Sequence, residues 1–423
     1  MLVNKKADMT PYDMKRRPSG QPPVLLPAIW GIAWVMTRQF RLKIDRSQLK
    51  GIKPPYLIIA THQGFSDYYI APLATFPHRA MYVSDMEGFA AFGNTVYRWI
   101  GCIPKRRFVP DISVIKNIQY GLSKGQSVWV YPESRHSNVG TTAYIPSNMG
   151  RLAKILKVPV VILHANGSYL ANPFWDEEHT RKVPIKAEMK CICDAAELAK
   201  IDPSELQKRI EKELQYDEYR YQQENGIIIA DAKRAEGLHL ALYKCRNCGA
   251  SGTMKSSGSV LSCTACNSSW NLSEDGWLIP SDSAAGSSGK CVNEASVRIH
   301  IPDWYEWQRS ETIQSIGELP VEFNVRVEAL PNEFGFVDMG NGHLTFNDKE
   351  FVLHIGENEL HFPHHNRESV QTEYNYRNKG RCIVLSTRDC CYYIYSDDVR
   401  FQPTWIQFAG EYLYQKAVAD GQG

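Results

Sequence analysis

A chain of 423 residues with 43% hydrophobic side chains and a formal net charge of +2 is too long for one ordinary domain. It is also too near neutrality for a protein that binds nucleic acid over its whole surface, so no nucleic-acid partner is expected and any anion site must be local. Its 11 cysteines, four of them in two tight pairs and none behind a secretory signal, fit metal binding in a reducing cytoplasm better than disulfides.

The N-terminus is polar and basic, then apolar from Val24 to Met36. That run of about 13 residues falls short of the roughly 20 a spanning helix needs. It predicts either an interfacial helix or a helix of the first core. In the interfacial reading Trp30 and Trp34 sit at headgroup depth and Lys15, Arg16, Arg17, Arg38 and Arg41 lie near anionic lipid, which places the protein peripherally on the cytoplasmic face of a membrane. Strands follow at YLIIA (56–60) and RAMYVS (79–84), helices over 89–100 and 112–123, and the strand SVWVYP (127–132). A helix over 148–156, the strand VPVVILHA (158–165), a strand over 185–192 and a charged helix from Ser204 to about Asn225, behind Pro203 and closed by Gly226, complete an α/β rhythm.

The cysteine pairs fall in 227–280, and SDSAAGSSGK (281–290) reads as a flexible linker. Residues 291–423 hold short alternating runs broken by Asn, Gly and Asp, the pattern of an antiparallel sandwich or barrel, with a last helical segment, TWIQFAGEYLYQKAV. This run of strands with a terminal helix resembles a pleckstrin-homology-type barrel, which would bind lipid headgroups or a protein partner.

In YLIIATHQGFSD, His62 and Asp67 stand just past an apolar run. Five residues apart on an unbroken helix they would point about 140° away from each other. If His62 occupies the turn after the strand and Asp67 the first turn of the next helix, the carboxylate can bend back to the imidazole, and Gly64 and Ser66 permit that turn. A carboxylate on one ring nitrogen leaves the other as a base toward a hydroxyl.

The stretch resembles the first motif, Asn-His-x4-Asp, of the glycerolipid acyltransferases, in particular the 1-acylglycerol-3-phosphate acyltransferases, with Thr61 in place of Asn. Their second motif, Gly-x-x-Phe-x-x-Arg, is matched by GCIPKRR, with Gly101 and Arg107 in place and Pro104 where Phe is common. The third, Phe-Pro-Glu-Gly-Thr-Arg-Ser, becomes YPESRHS, keeping Pro132 and Glu133, with Arg135 one residue early and Ser134 assigned to neither the Gly nor the Thr place; the fourth resembles VPVVILHA. The resemblance covers roughly residues 24–225.

It implies an acyltransferase domain over 1–226 with a mixed sheet flanked by helices, His62 as general base and Asp67 as its orienting partner. It implies a co-substrate thioester of coenzyme A or acyl carrier protein, and a lysophosphatidic acid or related lysophospholipid as acceptor. Lys105, Arg106, Arg107, Glu133 and Arg135 are the candidate acceptor ligands, Arg107 and Glu133 through the motifs and the basic triplet through its charge beside Ile103 and Phe108. No Gly-x-Ser-x-Gly elbow is present, which disfavours a serine hydrolase. Thr61, Pro104 and the irregular third motif keep a second reading open, a non-catalytic lipid-binding or scaffolding protein on the same frame.

Cys245, Cys248, Cys263 and Cys266 form two CxxC knuckles and resemble a zinc ribbon, with Gly249 at the first turn. Four thiolates so spaced suit structural Zn²⁺; a rubredoxin-like iron would use the same set but has no place in acyl transfer. Only scattered basic residues accompany the ribbon, so a brace is favoured over a nucleic-acid adaptor. Cys191 and Cys193 are expected in a strand, Cys390 and Cys391 on opposite sides of one, and His364 and His365 in a surface turn.

Overall fold

The computed structural model describes residues 8–176, 178–281 and 297–421, so the linker predicted at 281–290 lies, beyond Ser281, outside the described residues. The apolar runs of the first half become strands of one sheet: β1 (Lys43–Gln48), β2 (Leu57–Ala60), β3 (Ala80–Asp85), β4 (Cys102–Lys105), β5 (Ser127–Val130), β6 (Val160–Asn166) and β7 (Lys186–Cys193). Their order is β1-β7-β6-β2-β5-β3-β4. From β6 to β4 neighbours are parallel, β7 is antiparallel to β6, and β1 is parallel to β7, so the sheet is mixed as expected. Parallel strands covered on both faces read as unbroken apolar runs. In β2, Ile58 and Ala60 enter one core with Trp129, Val161 and Leu163, while Leu57 and Ile59 enter the other with Val128, Val160 and Ile162. β1, KIDRSQ, carries too much charge to have been read as a strand, and its largely exposed edge position explains why it tolerates that charge.

Helix α1 (Leu26–Thr37) rests on α2 (Asp67–Thr75), which follows β2. In α1 only Leu26, Ala33 and Thr37 are buried, whereas Ile32, Trp34, Val35 and Met36 face outward. Among the described residues no helix is long and apolar enough to cross a membrane. The helix expected over 89–100 is two, α3 (Met86–Phe92) and α4 (Asn94–Ile100), parted at Gly93 with φ 81°. The charged helix over 204–225 is likewise divided, into Pro203–Glu213 and Glu218–Glu224, with the Asp217 carboxylate capping the second.

Helices α5 (Ile112–Ser123) and α6 (Met149–Leu156) close the face opposite to α2. At Gly150, α6 meets the helix Pro203–Glu213 so closely that a Cβ would collide with the Pro203 carbonyl. Helix propensity alone would favour Ala by about 1 kcal/mol, but overpacking costs about 1–3 kcal/mol. Gly150→Ala should therefore lower the thermal midpoint, and a raised midpoint in a melting experiment would show that the two helices do not touch there.

The cysteine region forms a second sheet from Met254–Ser257, Val260–Cys263, Ser269–Leu272 and Trp277–Pro280, extended by Ile299–His300 from beyond the linker. The helix Ile301–Gln314, absent from the sequence reading, then packs Trp304 edge-on against Trp270 at 4.8 Å. The third sheet is antiparallel throughout and has seven strands, Val321–Leu330, Val337–Phe346, Glu350–Ile355, Asn358–Pro363, Gln371–Glu373, Cys382–Ser386 and Cys391–Tyr395. Its first strand pairs with both the second and the last, joining two meanders around a core that the helix Pro403–Ala419 completes.

Cys390 enters that core and Cys391 the opposite face, as expected of neighbours in an extended segment. His364 differs from expectation: it is buried against Phe346 and Phe351, with Nε2 2.9 Å from the Asn347 carbonyl. The outer face of the third sheet, through Val384, Cys391, Tyr393 and Tyr395, shares an apolar cluster with Met86, Phe89 and Cys102 of the first domain.

Candidate active site

The carboxyl ends of β2, β3 and β5 converge, the place where open α/β sheets put functional groups. The chain leaves β2 through Thr61 and His62, turns at Gly64, and enters α2 at Asp67. Asp67 Oδ2 lies 3.2 Å from His62 Nδ1 and accepts the backbone N–H groups of Gln63 at 2.7 Å and Gly64 at 3.2 Å. Its other oxygen accepts the Ser168 hydroxyl at 2.7 Å. Ser168 comes from the segment after β6, about a hundred residues on, and no local signal marks it.

Burial, with Arg107 nearby, pulls the His62 pKa down to about 3, so the imidazole is neutral at ordinary pH. Burial pushes the Asp67 carboxyl up to about 6, against the hydrogen bonds that favour its charge. The His62 ring stacks on Tyr131 with centroids 4.3 Å apart and meets His136 at 4.0 Å. It lines a cleft with Tyr68, Asp85, Lys105, Arg107, Tyr131 and Ser134 whose free volume is about 50 Å³.

The three adjacent basic residues part company. Lys105 lines the cleft, and its Nζ donates to Ser134 Oγ at 3.4 Å. Arg107 also lines it, but its guanidinium is paired with Asp85 at 2.6 Å, Glu373 at 3.3 Å and Glu87 at 3.5 Å. Arg106 turns away: it is buried and donates to the carbonyls of Arg388 at 2.6 Å, Asp389 at 2.8 Å and Pro331 at 2.9 Å in the C-terminal domain. Its expected place among acceptor ligands is therefore corrected to that of a domain tether.

Arg135 is corrected likewise, since its buried guanidinium pairs with Glu411 of the terminal helix at 2.9 Å and reaches Ser369 at 3.3 Å. Glu133 lies behind the histidine rather than in the cleft. Its carboxylate accepts the backbone N–H of His62 at 3.1 Å and of Ala143 at 2.8 Å, and burial raises its pKa to about 7. It fixes the loop that carries His62.

Ser134 has φ 55°, the left-handed region that favours glycine. That is the residue at its place when YPESRHS is laid on the third motif without a gap, so His136 then stands where the motif has arginine. His136 is buried beside His62, with Nε2 making no hydrogen bond among the described residues, and the ungapped register is the signal in the sequence that points to it.

The sulfurs of Cys245, Cys248, Cys263 and Cys266 all lie within 4.8 Å of one another, with Cys245–Cys266 at 3.7 Å and Cys248–Cys263 at 3.8 Å. Zn–S bonds of about 2.3 Å in a regular tetrahedron separate sulfurs by roughly 3.8 Å, so the residues fit zinc. Gly249 at φ 74° makes the first knuckle's turn, and Asn267 at φ 58° makes the second.

The family model described as Acyltransferase matches residues 40–163, the stretch that holds β1 to β5, the first half of β6 and all of the cleft. The chain thus carries an acyltransferase-family domain. Among solved structures it is similar to the 1-acyl-sn-glycerophosphate (LPA) acyltransferase PlsC from Thermotoga maritima, at 16% identity over 45% of this chain and 76% of that one, with a TM-score of 0.39. No curated protein matches.

Proposed function

We propose that the protein transfers a fatty acyl group from a thioester of coenzyme A or acyl carrier protein to the free hydroxyl of lysophosphatidic acid or a related lysophospholipid. The observation that carries the reading is the 3.2 Å contact between His62 Nδ1 and Asp67 Oδ2 at the wall of a cleft that also holds cationic side chains. Asp67 fixes the tautomer with the proton on Nδ1, leaving the lone pair of Nε2 for the cleft. The acceptor hydroxyl gives its proton to Nε2 as its oxygen attacks the thioester carbonyl. The tetrahedral intermediate then expels the thiolate, which takes that proton back from the imidazolium, so no acyl-enzyme forms. A cleft of about 50 Å³ has room for the reacting end of the alcohol and not for a fatty chain. The chain in this reading lies outside, over the exposed rings of Phe65 and Tyr68.

The working place is a membrane surface, on its cytoplasmic face. Support comes from the outward Ile32, Trp34, Val35 and Met36 of α1 and from the neighbouring groove of Leu42, Ile44, Leu73 and Phe76 edged by Arg38 and Arg41. Zinc in this reading is structural, and the C-terminal sheet with its helix is a pleckstrin-homology-like barrel that serves first as a wall for the catalytic domain. Purified protein given acyl thioester and lysophosphatidic acid should release thiol; tight lipid binding without release would favour the scaffolding reading.

The pH dependence follows from Asp67. With its pKa raised to about 6, the carboxylate gains a proton as pH falls through that value, and the charge that supports an imidazolium is lost. Turnover should therefore fall below about pH 6, although His62 itself gains a proton only near 3. A kcat/KM profile flat down to pH 4 would remove Asp67 from this role.

A further inference from the structure

Resting on the acyl-transfer reading, we infer that the phosphate of the acceptor is held by Lys105 with the Ser134 hydroxyl, and that Arg107, the residue matched by the family motif, is withheld from it. The guanidinium of Arg107 already faces three carboxylates, those of Asp85, Glu87 and Glu373, and one of these belongs to the C-terminal domain. Asp85 is itself fixed, because its other oxygen caps α3 by accepting the N–H of Gly88 at 3.2 Å. Glu87 is fixed by the Tyr393 hydroxyl at 2.5 Å. An incoming phosphate would have to displace these anions or stand among them, and like charges in a partly desolvated site repel strongly.

Lys105 is in the opposite condition. It lines the same cleft as His62, forms no ion pair among the described residues, and makes its hydrogen bond to Ser134 Oγ. Burial pulls its pKa down and the Arg107 charge adds to that, while Glu368 and Asp111 draw it up and offset the fall only in part. An anion beside Nζ would restore the lost solvation. Lys105 is also the register partner of Asp85 on the adjacent parallel strand, yet it is Arg107 that takes that carboxylate. Ser134, held at φ 55° where the motif has glycine, places a hydroxyl at the cleft wall that glycine could not supply. That hydroxyl is 3.4 Å from both the Lys105 Nζ and the Pro132 carbonyl, so it can turn to donate to a phosphate oxygen.

The test is calorimetric titration of the full chain with sn-glycerol 3-phosphate. The wild type should bind, Lys105→Gln should weaken binding at least tenfold without lowering the unfolding temperature, Lys105→Arg should restore most of it, and Ser134→Ala should weaken it several-fold. Unchanged affinity in Lys105→Gln, or no binding by the wild type, would overturn the assignment. Binding through Lys105 in a protein that never releases thiol would instead sink the acyl-transfer reading and leave the anion site standing.

Discussion

His62→Ala should reduce thiol release to background, and Asp67→Asn should lower kcat by about 10²–10⁴, the range general-base catalysis commonly supplies. The two variants probe different atoms. Alanine removes the base. Asparagine keeps the size of the side chain but can no longer bring a negative charge to Nδ1. It also sets an amide NH₂ group or a neutral oxygen against the N–H groups of Gln63 and Gly64 and the Ser168 hydroxyl. A stability loss of about 1–3 kcal/mol should accompany that change, so each rate is to be read beside a melting curve. Wild-type kinetics in Asp67→Asn would end the proposed dyad.

Removing the metal should be the most damaging change to the fold. One zinc per chain is expected by elemental analysis, and both a strong chelator and Cys245→Ser should lower the unfolding midpoint sharply. Structural zinc in small finger peptides binds with about 10–16 kcal/mol, and even partial loss here should exceed about 3 kcal/mol. The effect should reach beyond the ribbon, because Met254, Trp270, Leu272 and Leu278 belong to the same apolar cluster as Tyr169 and Trp175 of the first domain and Trp304 of the helix that follows. An unaltered midpoint in metal-free protein would show that the four thiols are an ordinary part of the core.

What the sequence conveyed was chiefly what is local. His62 and Asp67 could be paired because one turn joins them, and the four cysteines could be grouped because two short turns bring each pair together. Partners supplied from far along the chain left no trace: Ser168 behind Asp67, and Glu373 and Tyr393 around Arg107 and Glu87. The triplet Lys105, Arg106 and Arg107 shows the limit well. Three adjacent charges of one sign look alike as a string, yet one lines the cleft, one crosses to carbonyls more than two hundred positions away, and one is surrounded by acids, Asp85 and Glu87 close by in the chain and Glu373 more than two hundred positions on. The charged strand β1 was hidden because the edge of a sheet does not impose an apolar pattern, and the helix Ile301–Gln314 because its buried face includes Gln308 and Thr312.

The three carbonyls that Arg106 holds belong to loops near residues 331 and 388, far along the chain from its place just after β4. A fragment cut before the third sheet would leave that guanidinium without acceptors, deprive Arg107 of one counter-charge and bare the apolar side of α3. The part that matches the acyltransferase family is thus expected to make a poor free-standing cassette for fusion to another protein.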